Sequence, residues 1–284
     1  MQPEVVAATR DLVGESPRWD SRTARLVWVD AEQPVAHAYN PATRDVVDYR
    51  LPATVSSLAL RASGGYVATG RDGLWEVDQE FGVGHLLAEL GPLPESCLVN
   101  DSCCDPAGRL WVGVGSEGEA GIGRVDRFNC DGGLETLLTG YSLPNGIGWS
   151  PSGTTMYLAD SYQRTVFAFP YEIGIGMVGE RRVLYRANEQ EGLPDGLAVD
   201  AEGGVWVAFW GGGCVRRLSP SGQVLATIAL PVRQVASVTI GGAALDHLYI
   251  TTASHGLSST SGADGALFQL TSPVAGLPPA FCSM

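Results

Sequence analysis

An apolar run recurs six times along this chain, each time centred on one aromatic residue. Consecutive aromatic residues lie 38 to 49 positions apart, and each interval contains several short alternating runs separated by Gly, Pro, Ser or Asp. A period of about 40–50 residues with several short strands per period is typical of a β-propeller. Because a propeller brings the same position of every repeat to one axis, the repeat also predicts where a shared site lies. The aromatic residues are Trp28, Tyr66, Trp111, Tyr157, Trp206 and Tyr249.

The repeat predicts an all-β chain in which residues 1–284 form a single six-bladed β-propeller domain. A length of 284 residues could accommodate two domains, but a closed all-β ring of this size is one. The 37 glycines and 17 prolines suit many strands joined by tight turns. No long segment has the apolar period of an amphipathic helix.

The last repeat has one strand too few. After Ala236 it offers three strand-like runs, VTI, HLYITTA and ALFQL, whereas the repeat that begins at Asp195 offers four. The N-terminal segment EVVAATR, residues 4–10, can supply the missing strand. We therefore expect the N-terminal strand to close the last blade, since closure removes the exposed sheet edges of an open ring.

The net charge of −13 and the absence of lysine restrict the classes of function. Nucleic acids and anionic membranes bind basic surfaces, so neither is expected as a partner. The expected partner is a small-molecule substrate. Without lysine the chain lacks a Schiff-base amine and the lysine of a Walker-type phosphate loop. No apolar run reaches the ~18 residues of a membrane span, and the sequence does not indicate an oligomeric state.

The cysteines and the N-terminal segment predict a cytoplasmic protein. The first residues, MQPEVVAATRDL, lack the basic and apolar segments of a secretory signal. Six cysteines without such a signal are expected to be reduced thiols. The sequence contains no CxxC pair, so a zinc ribbon is not expected. The cysteines are Cys97, Cys103, Cys104, Cys130, Cys214 and Cys282.

Alignment of the repeats on their first strands predicts a ring of side chains at one mouth of the central channel. Four of these six residues carry carboxylate or carboxamide oxygens, which suit a hard divalent cation such as Ca²⁺, Mg²⁺ or Mn²⁺. Each one alone could simply be a turn former, but their common register favours a metal site. The six positions are Glu15, Ser56, Asn100, Asn145, Asp195 and Ala236.

Strand direction predicts which loops surround this ring. The loops between second and third strands share the mouth at which the first strands begin. These loops are Gly115–Gly121, Trp210–Gly213 and Ser254–Gly265. Glu117 and His255 lie in two of them and are candidates for substrate contact, although a loop histidine is more often only solvated.

The same stretches resemble the family of senescence marker protein (regucalcin), gluconolactonase and luciferin-regenerating enzyme. The resemblance covers nearly the whole chain in order and implies a six-bladed propeller that binds one divalent cation and hydrolyses sugar lactones. The matching stretches are GESPRWD, VSSLALRASGGYVATG, NDSCCDPAGRLWVG, LPNGIGWSPSG, YLADS, LPDGLAVDAEGGVWVA and GALFQL.

The resemblance also implies individual roles. It makes Glu15, Asn145 and Asp195 the protein ligands of the cation. It makes Asn100 a substrate-binding residue close to the metal and Asp195 the catalytic general base. The cation is expected to be Ca²⁺, with Mg²⁺, Mn²⁺ and Zn²⁺ as alternatives.

Three positions depart from the family pattern. Leu98 stands where sugar-lactone enzymes of the family commonly carry Arg, and Ser102 stands where Gly is expected. Ser254 replaces an Arg of the family and is followed by His255. The loss of these polar and cationic groups from the pocket predicts a less hydroxylated or less anionic substrate, or a changed reaction.

These observations lead to one main hypothesis and two alternatives. The main one is a divalent-metal-dependent hydrolase that opens a sugar lactone or related cyclic ester with metal-activated water. The first alternative is a metal-dependent propeller enzyme with another reaction, such as an isomerase, a dehydratase or a different esterase. The second is a metal-binding protein without catalysis, since propellers also serve as binding platforms.

Overall fold

The computed structural model describes residues 2–129, 133–257 and 262–284. These residues form six antiparallel sheets arranged as a β-propeller, as the sequence predicted, and they contain no α-helix. One 3₁₀ turn, Glu189–Glu191, precedes the fifth blade. No helix in these three segments is long and apolar enough to cross a membrane. Cys130 and positions 258–261 of the predicted Ser254–Gly265 loop lie outside the described residues.

Blades one to three follow one another along the chain, and in each the strands pair in sequence order from the channel outwards. Blade one contains β2 (Gly14–Asp20), β3 (Arg25–Asp30), β4 (Val35–Asn40) and β5 (Asp45–Arg50). Blade two contains β6 (Ser57–Leu60), β7 (Tyr66–Thr69), β8 (Gly73–Val77) and β9 (Val83–Glu89). Blade three contains β10 (Leu98–Cys104), β11 (Leu110–Gly115), β12 (Gly123–Phe128) and β13 (Leu134–Tyr141).

Blade four has a fifth strand, and blade six takes its outer strand from the N-terminus. Blade four contains β14 (Pro144–Trp149), β15 (Thr155–Asp160), β16 (Thr165–Glu172), β17 (Met177–Val178) and β18 (Arg182–Arg186). Blade five contains β19 (Leu193–Val199), β20 (Val205–Trp210), β21 (Cys214–Leu218) and β22 (Val224–Ala229). Blade six contains β23 (Val235–Gly241), β24 (His247–Thr252), β25 (Leu267–Thr271) and β1 (Glu4–Ala7).

The predicted closure of the ring is confirmed. Strand β1 pairs antiparallel with β25, with Glu4 opposite Gln269 and Val5 opposite Phe268. Ala7 is buried in the apolar cluster between blades six and one. The first and last parts of the chain therefore share one sheet, and β1 covers the edge that β25 would otherwise expose.

The apolar core is divided among the six interfaces between neighbouring blades. Each interface holds one cluster of buried side chains. The six aromatic residues of the repeat all lie on second strands and are at most 2% exposed. The aromatic period therefore reflects sheet-on-sheet packing, because one large ring per blade fills the space against its neighbour.

A buried aspartate links the first turn of a blade to its second strand. In blade five the Asp200 carboxylate accepts hydrogen bonds from the Gly204 backbone N–H at 2.8 Å and from the Trp206 indole N–H at 2.9 Å. In blade three Asp105 accepts from the Trp111 indole N–H at 3.3 Å. These bonds hold the aromatic side chain in one orientation and satisfy turn donors that would otherwise be buried without partners.

A C-terminal strap, residues 275–284, crosses the mouth of the channel at which the first strands end. Near its beginning the Gly276 N–H donates to the Leu245 carbonyl of blade six at 2.7 Å. Near its end the Ser283 N–H donates to the Gly108 carbonyl of blade three at 2.9 Å. Blades six and three face each other across the ring, so the strap spans this mouth. The opposite mouth, at which the first strands begin, is available for a functional site.

Candidate functional site

The first strands enter the channel through irregular pairing. A β-bulge re-aims the side chains of the residues it contains. In five blades the register shift encloses or borders the predicted ring residue, including the shift between Val235 and Ser237 in blade six. In the other four blades that residue is polar, so the bulge explains why polar side chains meet at the channel. The shifts lie between Glu15 and Arg18, Val99 and Ser102, Pro144 and Ile147, and Pro194 and Leu197.

All of the site residues predicted from the sequence line one cavity of about 300 Å³ at this mouth. Ser56 also lines it, whereas Ala236, the sixth ring position, is not among its described lining residues. Three of the four oxygen-bearing ring residues are 5–7% exposed. The predicted residues in the cavity wall are Glu15, Leu98, Asn100, Glu117, Asn145, Asp195 and His255.

Asn145 connects the ring residues of blades four and five. Its Nδ2 donates to Ser161 Oγ at 3.1 Å and to the Asp195 carboxylate. Its Oδ1 is buried and has no hydrogen-bond partner. A buried amide oxygen without a partner is costly, so this atom indicates a missing electropositive neighbour.

The two ring carboxyl groups are buried beside other acidic groups, and the Arg18 guanidinium only partly offsets the rise in the pKa of Glu15. Burial is the main cause that raises the pKa of Glu15 to about 8, and repulsion from Asp101 adds to it. Burial also raises the pKa of Asp195 well above its ordinary value, followed by repulsion from Glu15 and Asp101. Both carboxyl groups would be ionised more readily beside a cation.

These observations fit a hard divalent cation. The available donors are carboxylate and amide oxygens, which Ca²⁺, Mg²⁺ and Mn²⁺ prefer. No group of three or more His, Cys, Asp or Glu side chains that could hold a metal occurs in the described segments. A cation site here therefore depends on the amide oxygen of Asn145 as well as on Glu15 and Asp195.

An ion pair beside the ring did not emerge from the sequence analysis. Arg18 Nη2 lies 3.1 Å from Asp101 Oδ1, and both side chains are largely buried. Arg18 also donates to the backbone carbonyls of Leu58 at 3.1 Å and Ser102 at 2.5 Å. Both charged residues lie in the motifs GESPRWD and NDSCCD, so the signal was present, but only the bulges reveal that they point inwards.

The rim carries a second charged pair. His255 Nδ1 lies 2.7 Å from Glu32 Oε2, with both side chains roughly half exposed. The His255 backbone N–H donates to the Leu12 carbonyl at 3.0 Å, which fixes the start of its loop. Glu117 is exposed on the loop after β11, whose turn is held by Ser116 Oγ.

Apart from Ser56 and Ser161, the remaining wall is apolar and aromatic. Leu98, which replaces the arginine of the family pattern, faces the same cavity as Tyr162 and Trp210. No arginine is among the described residues that line the cavity, and the chain has no lysine. The pocket thus combines four acidic side chains with no permanent cation of its own. They are Glu15, Glu32, Glu117 and Asp195.

Comparison with known proteins gives the family. Residues 13–254 match the model of the SMP-30/Gluconolactonase/LRE-like region. The chain belongs to this family. The match confirms the resemblance inferred from the motifs, and it includes every predicted site residue except His255, which follows it directly.

Members of the SMP-30/gluconolactonase family resemble the protein over nearly its whole length. A pentonolactonase of Haloferax volcanii is 35% identical over 289 residues, covering 96% of this chain and 95% of its own. Regucalcin of Oryctolagus cuniculus is 34% identical over 278 residues, covering 94% and 93%. The crystal structure of regucalcin from Agrobacterium tumefaciens, described as a calcium-binding protein, has a TM-score of 0.91 at 28% identity and covers 98% and 96%.

Proposed function

We propose that this protein is a divalent-metal-dependent lactonase in which Glu15, Asn145 and Asp195 hold one cation and Asp195 is the catalytic base. The observation that carries the proposal is the unpartnered, buried Oδ1 of Asn145 beside two carboxyl groups with raised pKa. Membership of the family supports lactone hydrolysis, because relatives are named pentonolactonase and sugar lactone lactonase. The calcium-binding regucalcin supports Ca²⁺ as the cation.

Each group in the site has a separate role in the proposed hydrolysis. A bound divalent cation supplies positive charge that polarises a carbonyl oxygen and lowers the pKa of water. Asp195 accepts a proton from the attacking water and returns it to the ring oxygen as the C–O bond breaks, which leaves a hydroxy acid. The hydrogen bond from Asn145 orients the Asp195 carboxylate. Asn100, whose Nδ2 donates to the Pro144 carbonyl at 3.0 Å, is held ready to contact substrate.

The charge of the pocket supports a neutral substrate. Four acidic side chains and no arginine line the cavity, so a phosphorylated or carboxylated lactone would be repelled. Leu98, Tyr162 and Trp210 offer apolar and aromatic surface where a polyhydroxylated ring would leave hydroxyl groups unpaired. We therefore expect a neutral lactone with few hydroxyl groups.

Two rim residues complete the proposed substrate contacts. Glu32 holds Nδ1 of His255, which leaves Nε2 of the imidazole available for a substrate group. Glu117, on the opposite loop, can accept hydrogen bonds from a substrate hydroxyl. Both residues lie on the rim of the cavity, so they would affect specificity more than the chemical step.

The proposal includes a cytoplasmic location and a small-molecule partner. The five described cysteines are free thiols, which supports a reducing compartment. The charge of −13 supports the absence of nucleic-acid and anionic-membrane partners.

A pH-stat assay tests the function. Purified protein is treated with chelator, dialysed, and assayed on neutral and anionic lactones with Ca²⁺, Mg²⁺, Mn²⁺ or Zn²⁺. We expect turnover only with a cation, fastest on neutral lactones. Asp195→Asn should lower kcat by about 10²–10⁴ and weaken metal binding. The exposed carboxylate Glu180 provides the matched control, Glu180→Gln, which should behave as wild type.

Each alternative has its own result in this assay. Tight cation binding without turnover of any lactone would favour a calcium-binding protein or another reaction, and would overturn the lactonase proposal. Full activity of Asp195→Asn would remove this residue from the mechanism.

A further inference from the structure

Ser161 bridges the first strands of blades four and five through its side chain. It follows β15 directly, and it lines the same cavity as Asn145 and Asp195. Its backbone N–H donates to the Leu143 carbonyl at 3.1 Å, which holds the residue beside the start of β14. The side chain is 4% exposed, so its hydrogen bonds are shielded from competing water.

The hydroxyl group of Ser161 has a single proton, and one hydrogen bond accounts for it. Oγ donates to the Pro194 carbonyl at 2.9 Å, and a carbonyl oxygen can only accept. The same Oγ lies 3.1 Å from Nδ2 of Asn145. Because its proton is already engaged, Oγ can only accept at this second contact. The atom of the Asn145 amide that faces Ser161 must therefore be the nitrogen.

This bond decides which side of the Asn145 amide faces the ring. The amide nitrogen carries two protons, and here one is donated to Ser161 and the other to the Asp195 carboxylate. Both donors are then engaged, and Oδ1 is left as the buried atom without a partner. In the opposite orientation the two N–H groups would take the place of this oxygen, and an N–H group cannot bind a cation.

Asn100 in the neighbouring blade has no such intermediary. Its Nδ2 donates directly to the Pro144 carbonyl at 3.0 Å. Pro144 and Pro194 occupy equivalent positions, each directly before a ring residue. Blade three therefore uses its asparagine to hold the next first strand. Blade four uses the hydroxyl of Ser161 for that bond, which leaves the oxygen of Asn145 for the ring.

We infer that Ser161 is a positioning residue that fixes the amide of Asn145 with Oδ1 towards the proposed cation. The inference rests on the proposed function, because Asn145 is one of the cation ligands named there. Removing a group that orients a metal ligand typically lowers metal affinity about 10–100-fold. Ser161→Ala should therefore raise the Kd for Ca²⁺ by about 10–100-fold, although it removes no ligand oxygen.

Calorimetric titration of the full chain with Ca²⁺, after chelation and dialysis, tests this effect without an activity assay. Ser142→Ala is the matched control, because it removes a hydroxyl from the loop before β14 that is also 4% exposed, and it should bind Ca²⁺ as the wild type does. A wild-type protein that binds no divalent cation would overturn the proposed cation site itself. Wild-type affinity in Ser161→Ala would overturn only the role of Ser161.

A second background separates positioning from a purely structural role. In Asn145→Asp the two carboxylate oxygens are equivalent, so the side chain presents an oxygen in either orientation. Adding Ser161→Ala to this variant should then change the Kd for Ca²⁺ far less than it does in the wild-type background. An equal loss of affinity in both backgrounds would indicate a structural role and overturn the inference.

Neutron diffraction of the wild-type protein provides a measurement that needs no variant, because it locates the hydrogen atoms. The deuteron on Ser161 Oγ should point at the Pro194 carbonyl. The two deuterons on Asn145 Nδ2 should point at Ser161 and at Asp195. A Ser161 deuteron directed at Asn145 would instead place the amide oxygen on that side and overturn the assignment.

Discussion

At the scale of single residues, Asn145 sets the character of the site. Glu15 and Asp195 are acidic groups whose pKa is raised by burial and by repulsion from neighbouring carboxyl groups, and Asn145 orients one of them while keeping an oxygen free. Desolvated carboxyl groups without a cation destabilise the fold at the pH where they ionise. The same groups that define the proposed chemistry therefore make the metal-free protein sensitive to pH.

The first prediction concerns this sensitivity. The Glu15 pKa is about 8 in the fold against an ordinary value of 4.5, so between these values the folded chain holds a proton that the unfolded chain has lost. Stability of the metal-free protein should therefore fall as pH rises from 4.5 to 8. Added Ca²⁺ should raise Tm more at pH 8 than at pH 5, because protons and cations compete for the same oxygens.

Differential scanning fluorimetry of chelated protein, with and without Ca²⁺, gives this measurement. Glu15→Gln should flatten the pH dependence of the metal-free protein and reduce the Ca²⁺-induced rise in Tm. An equal rise at both pH values in the wild type would contradict carboxylate ligation by Glu15.

The second prediction concerns Leu98. Leu98→Arg places a guanidinium in a cavity that has none, where it can hydrogen-bond substrate hydroxyl or carboxylate oxygens. A charged hydrogen bond of about 1.5–3 kcal/mol corresponds to roughly a 10–100-fold rise in kcat/KM for polyhydroxylated or anionic lactones relative to neutral ones. Leu98→Met is the uncharged control. An unchanged ratio between the two substrate classes would show that Leu98 does not set specificity.

At the scale of strands, β-bulges and glycines build the ring. A Cβ at Gly196 would lie 2.0 Å from Ser237 Oγ and 2.8 Å from its Cα, and a Cβ at Gly146 would lie 2.4 Å from the Leu197 nitrogen. The glycine after each of the two ring residues therefore lets one first strand approach the next. The Asn-Gly and Asp-Gly pairs, which resemble ordinary turns in the sequence, serve close strand packing instead.

The third prediction tests this packing. Gly196→Ala should push β19 away from β23, lower stability by about 1–3 kcal/mol, and weaken cation binding through Asp195. Urea unfolding and calorimetric titration with Ca²⁺ measure the two effects. Gly174→Ala is the matched control, since its Cβ would meet only a flexible Glu172 oxygen at 3.4 Å. Wild-type stability of Gly196→Ala would refute the requirement for glycine.

The features that the sequence predicted follow from a pattern that recurs in every blade, whereas the features that it missed occur once in the molecule. The aromatic period and strand alternation recur along the whole chain, so they predicted the blades, the closure by β1 and the residues around Asn145. The ion pair between Arg18 and Asp101 depends on two bulges in different blades. The C-terminal strap pairs with turns of blades two, three and six. Neither leaves a period in the sequence.

At the scale of the whole molecule, two contacts between distant parts of the chain close the ring and one of its mouths. Strand β1 joins blade six to blade one, and the strap covers the far mouth of the channel. The proposed cation site depends on ring geometry, because Glu15 comes from blade one while Asn145 and Asp195 come from blades four and five. Opening the ring should therefore affect all three residues together.

The fourth prediction concerns ring closure. Deleting residues 1–9 removes β1, exposes the outer edge of β25 and uncovers the cluster that contains Ala7. Because six blades share one closed ring, the loss should lower the Tm of the whole protein in one transition and weaken Ca²⁺ binding at a site far from the deletion. Calorimetry and Ca²⁺ titration measure both.

Two point variants separate closure from simple truncation. Ala7→Glu puts a charge into the cluster between blades six and one and should lower Tm in the same direction as the deletion. Val5→Thr changes a side chain of the same strand that is 44% exposed and should leave Tm nearly unchanged. A truncated chain with the wild-type Tm would mean that blade six is stable with three strands. Stability would then arise within each interface between blades, and the cation site would be independent of β1.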